Sequence, residues 1–502
     1  GTQAARISVT GTLDNTGGTI ASNGDTMLSA QSLLNRGGSV QATGAAHLEV
    51  TTIAALDNSA GGHIAAGGNV SLHAASLNNN QGQITAGGSL GASADAAIGN
   101  VQGLVAANGA VNLTATSLNN TQGTVASVKN NLSVATGGAT VNSSGMLQAA
   151  QDVTLTTTGL SNHLGTIAAG GSAALQTGAL NNDGGLIQAA GALAIDTRGA
   201  TLVNTHAASH ASGAGGITSQ STLTLATGDL ENTAGFIGAR GALSAATAHA
   251  SNSAGGQVVG ESSIAISGTG FDNRGGEVQA LGDVSLHAGT GSIDNSASLI
   301  RSAGTTTLSA GTVRNNDTGG ANQGIEGNYV AIAADSIAND SGAIRADSNA
   351  ALTSSGGLNN SAGLISAGNT LAVHDSAAAK TLVISNTGGT VIAGQGASVD
   401  AAGLTGDGKV LSRGDLAIAL TTDFNNSGEV TANHNVSLGT TGNLTNSGKL
   451  QAGATLRVSA SSIDNAASGE ITGATTQLTA TSTLTNRGLI DGQDTQLNAA
   501  TL

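Results

Sequence analysis

Few residues in this 502-residue chain have a type and spacing that could carry chemistry, and the tripeptide Arg413-Gly414-Asp415 is the first candidate. Sequences of this kind can attach a protein to integrin-type receptors on host cells. Here the tripeptide stands directly before residues 416–420, in a slot that Gly68-Asn69 fills before another alternating apolar segment. We therefore interpret Gly414-Asp415 as a turn that starts a strand, with Arg413 exposed at a corner and without a role in adhesion.

The histidines and carboxylates are spaced poorly for metal binding. His73 and His287 fall at outward positions of alternating segments, and the pair His206 and His210 lies in a loop-like stretch. The calcium-binding repeat Gly-Gly-x-Gly-x-Asp is absent. Aspartate recurs directly before an asparagine that itself recurs along the chain, at Asp14, Asp57, Asp272, Asp294 and Asp464. Other residues occupy the same position elsewhere, so the aspartates form no continuous array. The sequence therefore predicts no metal ion and no cofactor.

Catalysis is not predicted either. Enzymes that process polysaccharides need clustered carboxylates or basic residues in a groove, usually beside aromatic platforms for the sugar rings. Tyr329 is the one aromatic residue that could stand in a groove, and the acidic residues are scattered along the chain. A polysaccharide-active enzyme is therefore a remote alternative.

Composition excludes several other classes. Only 9% of the residues are charged and 1% aromatic, while glycine accounts for 77 residues and proline and cysteine for none. The net charge of −15 is spread evenly and leaves no basic patch for nucleic acid. No apolar run approaches the ~18 residues of a membrane span. The chain begins with Gly and has no signal peptide, so we interpret it as a segment of a longer protein.

The strongest pattern is an internal repeat in which Asn follows a Leu-like residue by two positions. It predicts about 23 turns of roughly 21 residues, with one turn near Gly406 lacking its Asn. The clear copies are Asn15, Asn35, Asn58, Asn79, Asn120, Asn162, Asn182, Asn232, Asn273, Asn295, Asn315, Asn339, Asn360, Asn426, Asn446, Asn465 and Asn486. The weaker copies are Asn100, Asn142, Asn204, Asn252 and Asn386.

One repeat unit, residues 70–86, divides into three short segments with alternating apolar residues. Each segment predicts a strand with one buried face, and such a unit becomes stable only when the next unit stacks on it. The fold class predicted is all-β, a right-handed parallel β-helix with three short strands per turn, continuous over 1–502. The Asn residues are predicted to form a structural amide ladder, since Asn tolerates left-handed backbone geometry. Glycine pairs are predicted to supply positive φ at the turns.

Two further expectations concern departures from the repeat. Phe271 and Phe424 occupy the Leu slot and are interpreted as core substitutions. Three intervals are too long, which predicts loop insertions at 205–216, 318–329 and 374–380.

The pattern Leu-Asn-Asn-x-x-Gly-x-Ile-x-Ala resembles the haemagglutinin repeat of the filamentous haemagglutinin and contact-dependent growth inhibition family of exoproteins. Copies such as "LNNNQGQITAGG" at Leu77 and "LNNDGGLIQAAG" at Leu180 carry the resemblance. It implies a secreted stalk at the surface of a Gram-negative bacterium, exported by two-partner secretion through an outer-membrane transporter. A receptor or glycan on a target cell would be contacted through other parts of the parent chain.

Two parents stay open on this resemblance, an effector of contact-dependent inhibition, which is favoured, and a host-cell adhesin with its own lateral contacts. Neither end of the segment has a polar capping element, so the isolated chain is expected to associate end to end.

Overall fold

The computed structural model describes residues 4–207 and 215–502, and none of these residues is helical. They fall into two compact units, 1–250 and 251–502. In both units short parallel strands stack turn upon turn, which confirms the predicted all-β solenoid. The described part of the chain therefore contains no helix of the length and apolarity that a membrane crossing requires.

One turn consists of Val70–Ala74, Ser76–Asn78 and Gln83–Ala86. We call the three surfaces built by successive copies face I, face II and face III, in that order. Alternation decides which side chains enter the core, because neighbouring residues of a strand point to opposite sides. In the face I strand, Leu72 is buried while His73 points outward.

Each strand pairs in parallel with its equivalent in the next turn. Leu72 lies beside Ala92 on face I, Leu77 beside Ile98 on face II and Ile84 beside Val105 on face III. Identical positions therefore stack on one another, and a change of register would turn a buried row toward solvent.

Among the described residues, every strand that begins in unit 1–250 belongs to one of the three faces. On face I they are Ala5–Ser8, Thr26–Ala30, Leu48–Thr52, Val70–Ala74, Leu90–Ala94, Val111–Ala115, Leu132–Thr136, Val153–Thr156, Ala173–Gln176, Leu193–Asp196, Leu223–Ala226 and Leu243–Ala246. On face II they are Thr12–Asp14, Ser32–Leu34, Ala55–Asp57, Ser76–Asn78, Ala97–Gly99, Ser117–Asn119, Ala139–Val141, Gly159–Ser161, Ala179–Asn181, Leu202–Val203, Leu230–Glu231 and Ala250–Ser251. On face III they are Thr19–Ser22, Ser39–Ala42, His63–Ala66, Gln83–Ala86, Leu104–Ala107, Thr124–Ser127, Met146–Ala149, Thr166–Ala169, Leu186–Ala189, Gly216–Ser219 and Phe236–Ala239.

In unit 251–502 most strands again belong to one face. On face I they are Ile264–Ser267, Val284–His287, Thr370–Asp375, Gly396–Asp400, Asp415–Leu420, Val436–Thr440, Thr455–Ala460, Thr475–Ala480 and Asp494–Asn498. On face II they are Phe271–Asp272, Ser292–Asp294, Val383–Ser385, Gly403–Thr405, Phe424–Asn426, Leu444–Asn446, Ile463–Asn465 and Leu484–Asn486. On face III they are Gln257–Gly260, Glu277–Ala280, Leu299–Ser302, Leu364–Ala367, Thr390–Ala393, Lys409–Ser412, Glu429–Ala432, Lys449–Ala452, Glu470–Thr472 and Leu489–Asp491.

Three strands are much longer than the three to five residues that the sequence predicts: Thr305–Arg314, Gly324–Ala338 and Ala343–Asn359. The prediction is wrong here because the corner residues stay extended and keep pairing from turn to turn. Ala310, for example, pairs with Ala334, which in turn pairs with Ser354.

The core is a set of aliphatic columns. Leu33, Leu56, Leu77, Ile98 and Leu118 follow one another on face II, and each is at most 2% exposed. Burial of one such side chain contributes about 1.5–3 kcal/mol relative to exposure. Phe271 and Phe424 are 4% and 2% exposed in the same slot, so their interpretation as core substitutions is confirmed.

Candidate functional site

The most constrained polar feature of the chain is the Asn that follows each face II strand. The side-chain amide of Asn79 is fully buried, and its Nδ2 donates to Oδ1 of Asn100 at 2.7 Å. The same nitrogen lies 3.1 Å from the carbonyl oxygen of Leu104 and 3.3 Å from that of Gly82. One side chain therefore ties its own corner to the Asn and the face III strand of the next turn.

These amide contacts repeat along both units at 2.7–2.9 Å, and we call each series the amide ladder. Buried amides that bond to one another in this way leave few polar groups unsatisfied. Among the described side chains, Thr247 Oγ1 is the one buried polar atom without a partner. In unit 1–250 the ladder joins Asn15, Asn35, Asn58, Asn79, Asn100, Asn120, Asn142, Asn162, Asn182, Asn204 and Asn232. In unit 251–502 it joins Asn252, Asn273, Asn295, Asn315, Asn339, Asn360 and Asn386, and then Asn426, Asn446, Asn465 and Asn486.

The corner backbone follows the prediction only in part, since the first glycine of several pairs has positive φ, such as Gly17 at 64°, whereas the ladder Asn residues do not. No ladder Asn of the described residues has positive φ; the left-handed residue comes two positions later, such as Gln81 at 60°. Gly82 is required for a different reason, because a Cβ there would lie 1.9 Å from the carbonyl oxygen of Asn58 and 2.6 Å from Oδ1 of Asn79. Gly87 is likewise crowded, with the carbonyl oxygen of Gly67 2.2 Å from its Cβ position. These glycines permit close stacking of turns rather than left-handed geometry.

The ladder is interrupted at the turn that contains Gly406. Nδ2 of Asn386 donates to the carbonyl oxygen of Lys409 at 3.1 Å, with no Asn in the next turn to receive it. Pairing on face II also stops there, and the last four face II strands form a separate sheet. Within residues 407–502 no backbone φ is positive. The corners that follow face II therefore have a different backbone conformation on the two sides of Gly406.

Arg413-Gly414-Asp415 lies at a corner and at the start of the strand Asp415–Leu420, one residue earlier than the sequence predicts. Arg413 is exposed, as expected. Oδ1 of Asp415 accepts hydrogen bonds from the backbone N (3.1 Å) and Nδ2 (3.0 Å) of Asn435 in the next turn. The carboxylate is therefore engaged in stacking, which supports a structural interpretation of the tripeptide.

The histidines do not assemble a metal site in the described residues, where no group of three His, Asp or Glu side chains could hold an ion. His73 and His287 point outward as predicted. His206 lies beside Asp183, with 2.7 Å between Nδ1 and Oδ1, while its expected neighbour His210 lies outside the described residues. The hydrogen bonds from His206 and then Thr205 lower the pKa of Asp183, although burial opposes them.

The aspartates directly before the ladder Asn each bind groups of their own turn or of a neighbouring turn, and they do not form a shared array of carboxylates. Burial alone raises the pKa of Asp57, but hydrogen bonds from Ser59 and Arg36 outweigh it and lower the pKa. Asp14 accepts a hydrogen bond from the backbone N of Thr16 at 2.9 Å, and the hydrogen bonds of Thr16 lower its pKa. Asp272 pairs with Arg274, and Asp464 with Arg487, each at 2.7 Å. Asp294 accepts from the backbone N of Ser296 at 3.0 Å.

The first predicted insertion, 205–216, lies partly outside the described residues, and the second, 318–329, is shorter than predicted. Residues 208–214, inside the predicted loop 205–216, lie outside the described residues, and Gly216 begins the strand Gly216–Ser219. The prediction of a loop over 318–329 is wrong in its second half, where Gly324 begins a long strand and Tyr329 pairs with Thr305. The extended backbone continues because these residues pair with both neighbouring turns.

The irregular segment 316–323 rests on face III through two arginines. Nη1 of Arg345 donates to the carbonyl oxygen of Gln323 at 2.8 Å, and Nη2 of Arg301 donates to Oδ1 of Asn322 at 3.3 Å. Both guanidinium groups also bind Glu326, at 3.1 Å from Arg345 and 2.6 Å from Arg301. We call Arg301, Glu326 and Arg345 the charged triad.

The third insertion begins later than the predicted 374–380, because Asp375 still belongs to the strand Thr370–Asp375. Asp375 is 2% exposed and accepts backbone N–H groups of Ala377 at 2.8 Å and of Thr381 and Leu382 at 2.6 Å. Burial raises the pKa of Asp375, but these three bonds outweigh it and lower the pKa below its usual range. One carboxylate therefore holds the loop 376–382.

Sequence reasoning missed the charged triad and the Asp375 contact. The triad was detectable in principle, because its members occupy equivalent positions of successive turns once the register is known. Asp375 had no comparable signal, since its three partners depend on how the inserted loop folds.

Comparison with known proteins identifies one family whose model matches this chain. The model of the haemagglutinin repeat matches residues 1–55, 46–114, 100–144, 370–428 and 414–501, which together make up more than half of the chain. The chain belongs to the haemagglutinin repeat family. The amide ladder also passes through turns between the matched regions, at Asn162 and Asn315 among others. No curated protein and no solved structure matches the chain.

Proposed function

We propose that this chain of haemagglutinin repeats is a stalk segment of a secreted, cell-surface exoprotein of a Gram-negative bacterium. In this proposal it is one continuous and rigid solenoid without enzymatic activity. It holds an adhesive or toxin-delivering tip away from the cell, and the favoured parent is an effector of contact-dependent growth inhibition.

The amide ladder is the observation that carries this proposal. Apart from the turn that contains Gly406, the buried Asn amides of successive turns bond to one another, as Asn58 does to Asn79 at 2.8 Å. Length can therefore be added without a new core, at ~4.8 Å per turn. The ladder amides bond to one another and to backbone carbonyl oxygens, as Asn79 does, so they stabilise an extended stack rather than support catalysis or ligand binding.

Export through an outer-membrane transporter is consistent with the composition. A chain without cysteine cannot form disulfides while it crosses an oxidising compartment unfolded. Stacked turns also suit folding from one end, because each folded turn offers unpaired strand edges to the following one. Single-molecule pulling would test this, and one all-or-none unfolding event without stepwise loss of turns would contradict it.

Deletion of one whole turn from the parent exoprotein tests the stalk function. Removal of residues 79–99 joins Asn78 to Asn100 and keeps the register of the ladder, whereas removal of residues 84–93 destroys it. We expect the first deletion to preserve surface display and tip activity, and the second to abolish display. Loss of tip activity in the first variant, with display intact, would overturn the proposal.

A host-cell adhesin with its own lateral contacts is the second candidate, and the segment 316–323 held on face III favours it. Attachment of the isolated 502-residue chain to host cells or to a glycan array would support this candidate. The remote alternative, a polysaccharide-active enzyme, predicts release of reducing ends from a polysaccharide, and we expect none.

A further inference from the structure

Unit 251–502 has a cleft of about 550 Å³ on the outside of face III. Its first wall consists of outward side chains from successive turns, including Gln279 and the charged triad, which pair in one column. Its second wall is formed by the corner residues that follow these strands, among them Leu281 and Ala303. The cleft therefore runs across several turns rather than along one strand.

The middle of the cleft combines a cation with an apolar surface. Leu281 is 70% exposed, although it is a leucine in a chain that buries most of its aliphatic side chains. Arg301, one turn away, lines the same cleft, and its side chain is 37% exposed. The small residues Ala280 and Ser302, which pair with each other, also line it. An exposed leucine and a guanidinium in one cleft are suited to a ligand with an apolar group and a negative charge.

Arg301 has donors to spare for such a ligand. A guanidinium has five N–H donors, and Arg301 uses two of its nitrogens, one toward Glu326 and one toward Asn322. The charged triad as a whole carries one net positive charge, because two arginines share a single carboxylate. Its contacts hold Arg301 in place, so the side chain loses little conformational entropy when it binds.

The two ends of the cleft are acidic, which limits what can enter. Glu261 lies at one end and Asp347 at the other, each two turns from the Arg301 position. A polyanion laid through the cleft would meet both carboxylates. None of the described residues that line the cleft is aromatic, so it lacks the stacking platform that sugar rings favour. A single carboxylate in the middle avoids both carboxylates and contacts Arg301.

We propose that this cleft binds the C-terminal carboxylate of a peptide whose last residue is aliphatic. The carboxylate bonds to Arg301, the last side chain packs on Leu281 and Ala303, and the preceding residues leave toward solvent. This lateral site is separate from the stalk role and does not depend on it.

Fluorescence anisotropy with the 502-residue chain tests the proposal. The probe is labelled Ala-Ala-Ala-Leu with a free C-terminal carboxylate, and its matched control is the same peptide with a C-terminal amide. We expect the carboxylate form to bind at least about tenfold more tightly, since a charge-assisted hydrogen bond is lost in the amide. Equal binding of the two forms would overturn the proposal.

Two variants locate the site. Arg301→Met removes the guanidinium and keeps an apolar stem, and Leu281→Ser removes a side chain that is already exposed and cannot unfold the core. Each should weaken binding of the carboxylate peptide about tenfold or more, whereas Leu164→Ser, at a corner leucine that is 59% exposed in the other unit, should not. Unchanged binding in both cleft variants would refute the site. Displacement of the peptide by trigalacturonate at lower concentration than by unlabelled peptide would identify a saccharide site instead and also refute it.

Discussion

Replacement of Asn120 by aspartate should destabilise its turn, whereas the same replacement at the neighbouring Asn119 should have little effect. Asn120 is fully buried, and its Nδ2 faces three oxygen acceptors, at 2.7 Å on Asn142 and at 3.1 Å on Gly123 and Met146. An aspartate would place a second oxygen where that donor stands. Buried oxygens without a shared proton repel one another and lose their hydrogen bonds.

The size of the effect follows from the cost of keeping the new carboxyl protonated. An aspartate in an unfolded chain ionises near pH 3.9, and each pKa unit corresponds to about 1.4 kcal/mol. Keeping the introduced carboxyl protonated in the folded chain at pH 7 therefore costs about 4 kcal/mol. This cost sets an upper limit on the contribution of ionisation to the loss of stability, because an ionised carboxylate at the buried position would cost still more. Asn119 is exposed and uses its Oδ1 to accept from the backbone N of Thr121 at 3.1 Å, which aspartate can also do. We expect Asn119→Asp to change stability by less than about 0.5 kcal/mol.

The pH dependence has a definite sign. Burial among acceptors raises the pKa of the introduced carboxyl above its unfolded value, so the folded chain favours the protonated form. The stability of Asn120→Asp is then retained below about pH 4 and is lost as the pH rises through the raised pKa. The difference between the two variants should shrink to about 1–2 kcal/mol at pH 4, where the protonated carboxyl can donate to Asn142.

Hydrogen exchange measured by mass spectrometry is the suitable assay, because a stacked repeat can open locally and need not unfold in two states. Peptides that cover residues 118–127 and 140–149 report the opening of this turn and the next. At pH 7 we expect roughly thousandfold faster exchange in Asn120→Asp than in Asn119→Asp. Similar exchange in the two variants, or a difference that persists unchanged at pH 4, would refute the reasoning.

Three further predictions concern the corners and the loop. Gly123→Ala should lower the opening free energy of its turn, measured by hydrogen exchange, by more than about 2 kcal/mol, because its Cβ would lie 2.0 Å from the carbonyl oxygen of Asn100; Gly91→Ala, with nothing within 4 Å, should be nearly neutral. Asp375→Ala should speed proteolysis within residues 376–382 about tenfold at pH 7. In the unchanged chain that protection should be present above pH ~3.9 and decline as the pH falls through the lowered pKa of Asp375; protection that is unaffected by acid would contradict this. Asp415→Glu should leave cell attachment by the chain unchanged, and loss of attachment would show that Arg413-Gly414-Asp415 is adhesive.

The sequence determined the periodic part of the molecule. Alternation placed Leu77 and Ile84 in the core, and the repeat identified which Asn of each pair is equivalent from turn to turn. Such features are readable because every turn faces the same physical problem: small aliphatic residues must stack, and buried amides must find partners in the neighbouring turn. Even the loss of Asn near Gly406 was visible as an exception to the period.

Only the tertiary structure decided the features that depend on distances between turns. Gly82 is small because the carbonyl oxygen of Asn58 approaches it from the previous turn, a cause that local turn chemistry does not contain. The same holds for the long strands around Gly324, the loop held by Asp375 and the cleft between Arg301 and Leu281. Periodicity encodes which residues are equivalent, whereas contacts around an insertion depend on the path that the chain takes once the period is broken.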